Sequence, residues 1–178
     1  MSLAFTLLGL LLTLGLLSKY LPALLYAYHL VRSVTSCHSI ECLAGTGGSL
    51  NVTVVDAFVA RGPWGDAIVV YACSSVPAVF RVYVGGSYAG VATLPYNPIP
   101  DLDVCEKVAL VVVKHGASYT VLLEPVEHGD LRGLYEVLES VAGLSPGDRI
   151  EAPVRLTLVT RNHSFVIRVE RVVTLGRR

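Results

Sequence analysis

The first thirty or so residues form a long apolar run, and this run restricts the fold more than any other feature of the chain. Residues 3–17 read LAFTLLGLLLTLGLL and carry no charge, and the apolar character resumes after Lys19 and continues to Val31. Lys19 is the only side chain before Arg32 that is certain to be charged. A helix over 3–31 would be about 43 Å long, which exceeds a bilayer core of roughly 30 Å. Because it would be apolar on every side, it must be covered by lipid or protein.

Three interpretations of this segment compete: a retained helix, a cleaved signal peptide and a core helix of a soluble protein. No basic region precedes Leu3, and cleavage near Lys19 would leave the apolar stretch ALLYAYHLV exposed, which argues against a signal peptide. A soluble core helix would be apolar on one stripe only. We therefore expect a retained transmembrane or assembly helix over residues 1–32, with a kink at Pro22 as one option. The leucines expected to form its contacts are Leu7, Leu10, Leu14, Leu17, Leu21 and Leu25.

A change in hydrophobic period separates this stem from the rest of the chain. Residues 33–49 form a polar neck of mainly small residues, and from Leu50 the pattern becomes period two, which is typical of strands. Residues 50–178 are therefore expected to form a β domain. Eight runs rich in Val, Ile, Thr, Tyr and Phe are predicted strands: 50–60, 67–73, 78–84, 88–94, 107–114, 118–124, 152–160 and 164–175.

Turn and cap signals complete the predicted fold. Hairpins are expected at Gly85-Gly86, at His115-Gly116 and at Arg161-Asn162-His163. One short helix is predicted between strands, with Asp130 as its N-cap and Gly143 as its end. Eight strands with short turns favour an antiparallel β-sandwich. The predicted fold class is thus mainly β: a hydrophobic N-terminal α-helix followed by an immunoglobulin-like sandwich head.

Four cysteines all follow the apolar run: Cys37, Cys42, Cys73 and Cys105. An even number of cysteines in an extracytoplasmic domain predicts two disulfides, and the sequence does not choose among the three possible pairings. A zinc site with four thiolates is the alternative, because Cys37 and Cys42 have a suitable spacing. Cys73 and Cys105 lack the second close pair that a zinc ribbon would have, so no metal is predicted.

Two tripeptides fit the acceptor pattern for N-glycosylation. They are Asn51-Val52-Thr53 and Asn162-His163-Ser164. Asn51 borders a predicted strand and Asn162 lies in a predicted turn, so both are expected at the surface.

No constellation of residues supports an enzyme or a cofactor site. A GxSxG match at 143–147 lies between a predicted helix and a turn, whereas that motif requires a strand before the serine and a helix after it. The acidic group Glu124, Glu127, His128 and Asp130 fits a solvated loop before the capped helix better than a cation site. The net charge is zero, so the composition gives no sign of nucleic-acid binding.

Composition also bears on the source. The chain contains no Gln and a single Met, and Arg greatly outnumbers Lys. Loss of thermolabile side chains is a habit of thermophile proteins, although a GC-rich genome also favours Arg. We interpret the pattern as that of a thermophile, with an archaeon as the expected source.

The layout of apolar stem, polar neck and β-sandwich head resembles archaeal type IV pilins and related surface filaments, with Ala23-Leu24-Leu25-Tyr26-Ala27-Tyr28 similar to the end of such a stem. The resemblance implies a structural subunit at the cell surface, anchored in the membrane before assembly. Stems would pack into a helical homo-oligomeric core and glycosylated heads would form the exterior. Two features depart from the family: no basic leader precedes the stem, and Lys19 and Pro22 fall within it. The alternative is a single-pass membrane-anchored extracytoplasmic accessory subunit of a membrane or envelope complex.

Overall fold

A computed structural model describes residues 50–96, 103–141 and 149–176 of the chain. The expected stem over 1–32 with its six leucines, the neck over 33–49, Cys37 and Cys42 lie outside the described residues. The described elements, in chain order, are β1 (Val52–Gly62), β2 (Gly65–Ser74), β3 (Ala78–Val84), β4 (Ser87–Leu94), a 3₁₀ helix (Asp103–Glu106), β5 (Ala109–His115), β6 (Ser118–Glu124), α1 (Leu131–Val141), β7 (Val154–Val159), β8 (Ser164–Val169) and β9 (Val172–Thr174).

The strands form two sheets, which confirms the expected mainly-β sandwich with one short helix. The five-stranded sheet has the order β6-β5-β2-β1-β9, and the four-stranded sheet has the order β4-β3-β7-β8. Every described strand pair is antiparallel except β1 with β9, where Val59 lies opposite Val172 in a parallel pair. The expectation of a wholly antiparallel sandwich was therefore wrong at this one edge.

The order of the five-stranded sheet matches part of the immunoglobulin arrangement and departs from it at the edge. In immunoglobulin constant domains one sheet is A-B-E-D, so the fifth strand lies beside the second and the fourth strand forms the edge. Here β5 also lies beside β2, but β6 forms the edge and β4 belongs to the other sheet. The disulfide between Cys73 at the end of β2 and Cys105 in the 3₁₀ helix fastens the segment that enters β5 close to β2.

The domain has three layers and two hydrophobic cores. The first core lies between the sheets and contains inward side chains such as Ile68, Phe80 and Leu156, all with 0% exposure. The second core lies on the other side of the five-stranded sheet, where Leu134 and Leu138 of α1 pack against it. Helix α1 therefore covers the outer surface of one sheet, and no described element covers the outer surface of the other.

The predicted turns and cap were largely right. Pairing across β3–β4, β5–β6 and β7–β8 confirms the three predicted hairpins. Asp130 caps α1, because the Gly133 backbone N–H donates to its Oδ1 at 3.0 Å. A fourth hairpin between β1 and β2, which turns at Pro63 and Trp64, was not predicted.

The last predicted strand, 164–175, is two strands in different sheets. Residues up to Val169 belong to β8 in the four-stranded sheet, and residues from Val172 belong to β9 in the five-stranded sheet. The chain crosses between the sheets at Glu170 and Arg171, where the Val59 N–H donates to the Arg171 carbonyl at 2.8 Å. A strand can pass from one stacked sheet to the other at such a bend.

Candidate interaction surface

The uncovered outer surface of the four-stranded sheet is the first candidate for a binding role, and we call it the basic face. Outward residues alternate with buried ones along each of its strands, as expected for a sheet with one wet surface. The strand registers place its outward residues in rows that run across the sheet. The central row contains Tyr88, Tyr83, Thr157 and Val166, and the neighbouring rows contain Val91 with Arg81 and Val159, and Arg155 with Arg168.

The centre of the basic face is apolar and exposed. Tyr88 is 57% exposed and Val166 is 59% exposed, while Val91 is 41% exposed. The Tyr83 and Tyr88 rings meet edge to face with centroids 5.6 Å apart. Exposed aromatic and aliphatic groups that are gathered in one place, with charged groups around them, are typical of interaction sites.

Arginines supply the charge of the basic face. Arg155 lies directly opposite Arg168 on the neighbouring strand, and Arg81 lies on the other side of the apolar row. The Arg168 guanidinium bonds to Glu170 at 2.9 Å, and both side chains are about two-thirds exposed or more. Arg155 and Arg168 therefore place two positive charges side by side, and Glu170 offsets the charge of Arg168.

A second surface lies on the far side of the domain, where α1 packs on the five-stranded sheet. A groove of about 900 Å³ runs between α1 and β9, and Leu131, Tyr135 and Leu175 form part of its lining. Its lining includes the exposed carboxylates of Glu136 and Glu139 and the exposed guanidinium of Arg132. We call this region the acidic groove.

The acidic groove also contains a basic side chain. Arg132 is part of its lining and pairs with Glu136 at 3.2 Å. Glu139 lies in the last turn of α1, which contains no basic residue.

A partly exposed cluster around Asp56 joins three distant parts of the chain. Asp56 Oδ2 accepts a hydrogen bond from His128 Nε2 at 3.0 Å and another from Arg171 Nη2. Partial burial raises the pKa of Asp56, but the bonds from His128 and Arg171 and the charge of Arg171 outweigh it, so the pKa is lowered overall. The Arg171 guanidinium also lies 5.0 Å from the centre of the Phe58 ring. The cluster joins β1, the loop before α1 and the crossing into β9.

Tyr71 on β2 also contacts this cluster. Its ring meets His128 at 5.0 Å between centroids, and its hydroxyl donates to the Glu127 carbonyl at 3.4 Å. Burial raises the pKa of Tyr71 to about 12, with further contributions from the charges of Asp130 and Asp56. The phenol thus stays neutral and acts as a packing and hydrogen-bonding group. These contacts fix the loop before α1 against β1 and β2.

The predicted site residues that the structure describes have these positions. Cys73 and Cys105 form a disulfide that spans 32 residues of sequence. Asn51 is exposed just before β1, where its backbone N–H donates to Ser75 Oγ at 3.0 Å, and Asn162 is exposed in the β7–β8 turn. Both acceptor tripeptides are therefore at the surface; whether they carry sugar stays a prediction.

Among residues 50–96, 103–141 and 149–176, no group of three or more His, Cys, Asp or Glu side chains is arranged to hold a metal ion. The same residues contain no helix long and apolar enough to cross a bilayer. The Asp56–His128–Arg171 cluster could not be predicted from the sequence, because no local pattern links residues that are 72 and 115 positions apart.

No protein-family model matches the chain. No curated protein matches it at a significant level.

Proposed function

We propose that this chain is a structural subunit of an archaeal extracellular, pilus-like filament. In this proposal the apolar segment over 1–32 forms the core of the filament, and the β domain forms its outer surface. The observation that carries the proposal is the apolar run of residues 3–31, in which only Lys19 is certain to be charged. Such a run is satisfied by lipid before assembly and by neighbouring stems afterwards.

The β domain supports the proposal in two ways. It contains a disulfide and two exposed N-glycosylation tripeptides, which suit a protein outside the cytoplasm. Its surface carries an exposed interaction face and no arrangement of catalytic groups among the described residues. A head of this kind serves contact and protection rather than chemistry.

Assembly of the full chain tests the proposal. The chain is purified in detergent, the detergent is removed by dialysis, and the product is viewed by negative-stain electron microscopy. We expect filaments whose subunits retain residues 1–31 by mass spectrometry. Leu10→Asp and Leu14→Asp should each abolish them, because a carboxylate in the apolar core has no partner. Val54→Asp is the matched control, since Val54 is 40% exposed in the β domain, and it should assemble normally.

The accessory-subunit alternative predicts the opposite result. Purification from native membranes would then yield a monodisperse complex of this chain with other proteins, and no filaments would form under any condition. That result would contradict the filament proposal.

A further inference from the structure

The four strands that form the basic face differ from the other elements of the domain in their charged residues. Strands β3, β4, β7 and β8 contain no Asp, Glu or Lys, and their charged residues are Arg81, Arg155 and Arg168. The whole chain has equal numbers of acidic and basic residues, and carboxylates occur in β1, β2, β6 and α1. The lack of carboxylates is therefore a property of this sheet and does not follow from the composition.

Neighbouring residues neutralise only part of this positive charge. Arg168 is paired with Glu170, which follows β8 in the chain. Within the described ranges, no carboxylate is paired with the guanidinium of Arg81 or of Arg155, and both residues are exposed. The basic face therefore keeps an excess of positive charge, which would attract a partner rich in anionic groups.

The apolar side chains of the basic face distinguish between the possible anionic partners. Tyr88, Val91 and Val166 are all exposed on this face. A single-stranded nucleic acid stacks its bases on aromatic ring faces, whereas the Tyr83 and Tyr88 rings are inclined at 67° to each other and form no common platform. The boundary of a bilayer suits both kinds of side chain, because headgroup phosphates accept guanidinium N–H groups and the acyl region covers tyrosine and valine.

The rest of the chain would hold the basic face close to such a boundary. The apolar run over residues 3–31 is expected to lie in a bilayer before assembly. The neck over 33–49 can extend to at most about 60 Å. Strand β1 has 11 residues and is roughly 36 Å long, so a neck of this length lets the domain lie on one side against the membrane. Tethering at this distance gives a high effective concentration, so a weak contact is sufficient.

We propose that, before assembly, the basic face docks the β domain on anionic lipids of the membrane that holds the stem. Tyr88, Val91 and Val166 enter the boundary between headgroups and acyl chains, while Arg81 and Arg155 bind lipid phosphates. The inference rests on the proposed function in one respect: it requires the apolar run to be anchored in a bilayer. Docking holds an unassembled subunit against the membrane, and it ends when the subunit leaves the lipid to join a filament.

Fluorescence quenching in the full chain tests this docking directly. The chain is reconstituted at a low ratio of protein to lipid in vesicles of phosphatidylcholine alone or of equal parts phosphatidylcholine and phosphatidylglycerol, with brominated acyl chains as quenchers. Dansylalanine replaces Tyr88 or, as the control, Leu131, an exposed residue of α1 on the opposite side of the domain. We expect strong quenching at position 88 in the phosphatidylglycerol vesicles, and little in phosphatidylcholine or at position 131. Equal quenching at the two positions, or none at position 88, would overturn the proposal.

Removal of positive charge separates docking through this face from a general attraction to anionic lipid. Arg81→Gln with Arg155→Gln should lower the ratio of docked to undocked domains at least about tenfold, because each basic residue near an anionic surface contributes to binding. Lys107→Gln with Arg132→Gln is the matched control, since it removes the same charge from exposed positions outside the basic face. The control should change the ratio less than about twofold. Equal losses in the two pairs would contradict docking through the basic face.

A soluble polyanion tests the other class of partner. Heparin is added to the chain in phosphatidylcholine vesicles, and the emission of dansylalanine at position 88 is recorded. A shift of this emission with heparin, in a chain that shows no quenching in phosphatidylglycerol vesicles, would assign the basic face to acidic polysaccharides and overturn the membrane proposal.

The assembly assay separates failure of this inference from failure of the proposed function. Filaments that form normally from a chain whose position 88 never meets lipid would refute the docking and leave the filament function standing. Quenching at position 88 in phosphatidylglycerol vesicles, without filaments after removal of detergent, would support the docking and count against the filament.

Discussion

The two sheets of the β domain are built from the same residue types but differ in how many of their surfaces are buried. In the five-stranded sheet, β2 is buried along nine of its ten residues, and β5 is buried from Ala109 to Val113. In the four-stranded sheet, β7 alternates between buried and outward residues, with Arg155 exposed beside fully buried Leu156. The centre of the five-stranded sheet is therefore buried on both sides. The outer side of the four-stranded sheet is covered by no described element.

Because of this difference, the two sheets can serve different purposes: one holds the fold together, and the other can carry a binding surface. A sheet covered on both sides has no position at which a charged group can be placed without a partner. A sheet with one open side can vary that side without disturbing its core. The outward residues of the four-stranded sheet are therefore where binding can be encoded, and the stability of the fold is held mainly in the layers around β2.

The sharpest test of this division introduces the same charge into each sheet. Val111 on β5 is 0% exposed and packs in the core beneath α1, whereas Val166 on β8 is 59% exposed. Val111→Asp should cost more than about 4 kcal/mol of unfolding free energy or prevent folding, and Val166→Asp should change it by less than about 0.5 kcal/mol. Guanidinium unfolding followed by the fluorescence of Trp64, the only tryptophan, measures both. Similar effects from the two variants would break the comparison.

Loss of the disulfide is expected to have the next largest effect. The bond closes a loop of 32 residues between β2 and the 3₁₀ helix, and chain entropy predicts a contribution of about 3–4 kcal/mol. The double variant Cys73→Ser with Cys105→Ser should lower the free energy of unfolding of the domain by that amount. Cys37→Ser with Cys42→Ser is the matched control, since both lie before the β domain. A larger loss in the control than in the test would contradict the assignment.

Asp66 tests how the buried sheet is joined to the open one. It is 2% exposed in β2, pairs with Arg61 at 2.9 Å, and accepts the backbone N–H of Ile150 at 3.1 Å. Asp66→Ala leaves that buried N–H without its partner and should cost about 1–3 kcal/mol. Asp66→Asn keeps an acceptor and should cost less, as measured by the same unfolding curves. Equal losses would show that only the charge of Asp66 matters.

The smallest expected effect is a dependence on pH at the edge of the five-stranded sheet. The pKa of Asp56 in the fold lies below its ordinary value of 3.8, so its ionised form is stabilised by folding. That stability is present above about pH 4 and is lost as the pH falls through the folded pKa. Asp56→Asn should therefore flatten the acid limb of the stability profile. Glu170→Gln in the exposed pair with Arg168 should leave it unchanged, because exposed ion pairs contribute little.

Local patterns were enough to predict most of the elements. Runs rich in Val, Ile, Thr, Tyr and Phe marked the strands, although they merged β8 and β9 into a single predicted strand. Asp130 was recognisable as a cap because the side-chain chemistry of an N-cap is local. These features depend on residues within a few positions of one another.

Features that depend on contacts between distant residues could not be predicted from such local patterns. The alternation of β8 is interrupted at Glu170 and Arg171, where the chain leaves one sheet for the other, but so short an interruption does not tell which sheet the next residues join. The bulge between Val54 and Asp56 brings Asp56 opposite Tyr71. No glycine marks this bulge in the sequence. The Asp56 cluster and the acidic groove likewise exist only after folding has placed β9 beside β1.

The parallel pairing of β9 with β1 has a consequence for engineering the chain. Thr174 lies opposite Arg61, near the end of an 11-residue strand that begins at Val52. At about 3.3 Å per residue, Thr174 is therefore roughly 30 Å along the strand from Val52. A peptide tag inserted after Gly176 would leave the β domain at the end of β1 that is remote from Val52, so it would not crowd the side on which β1 begins.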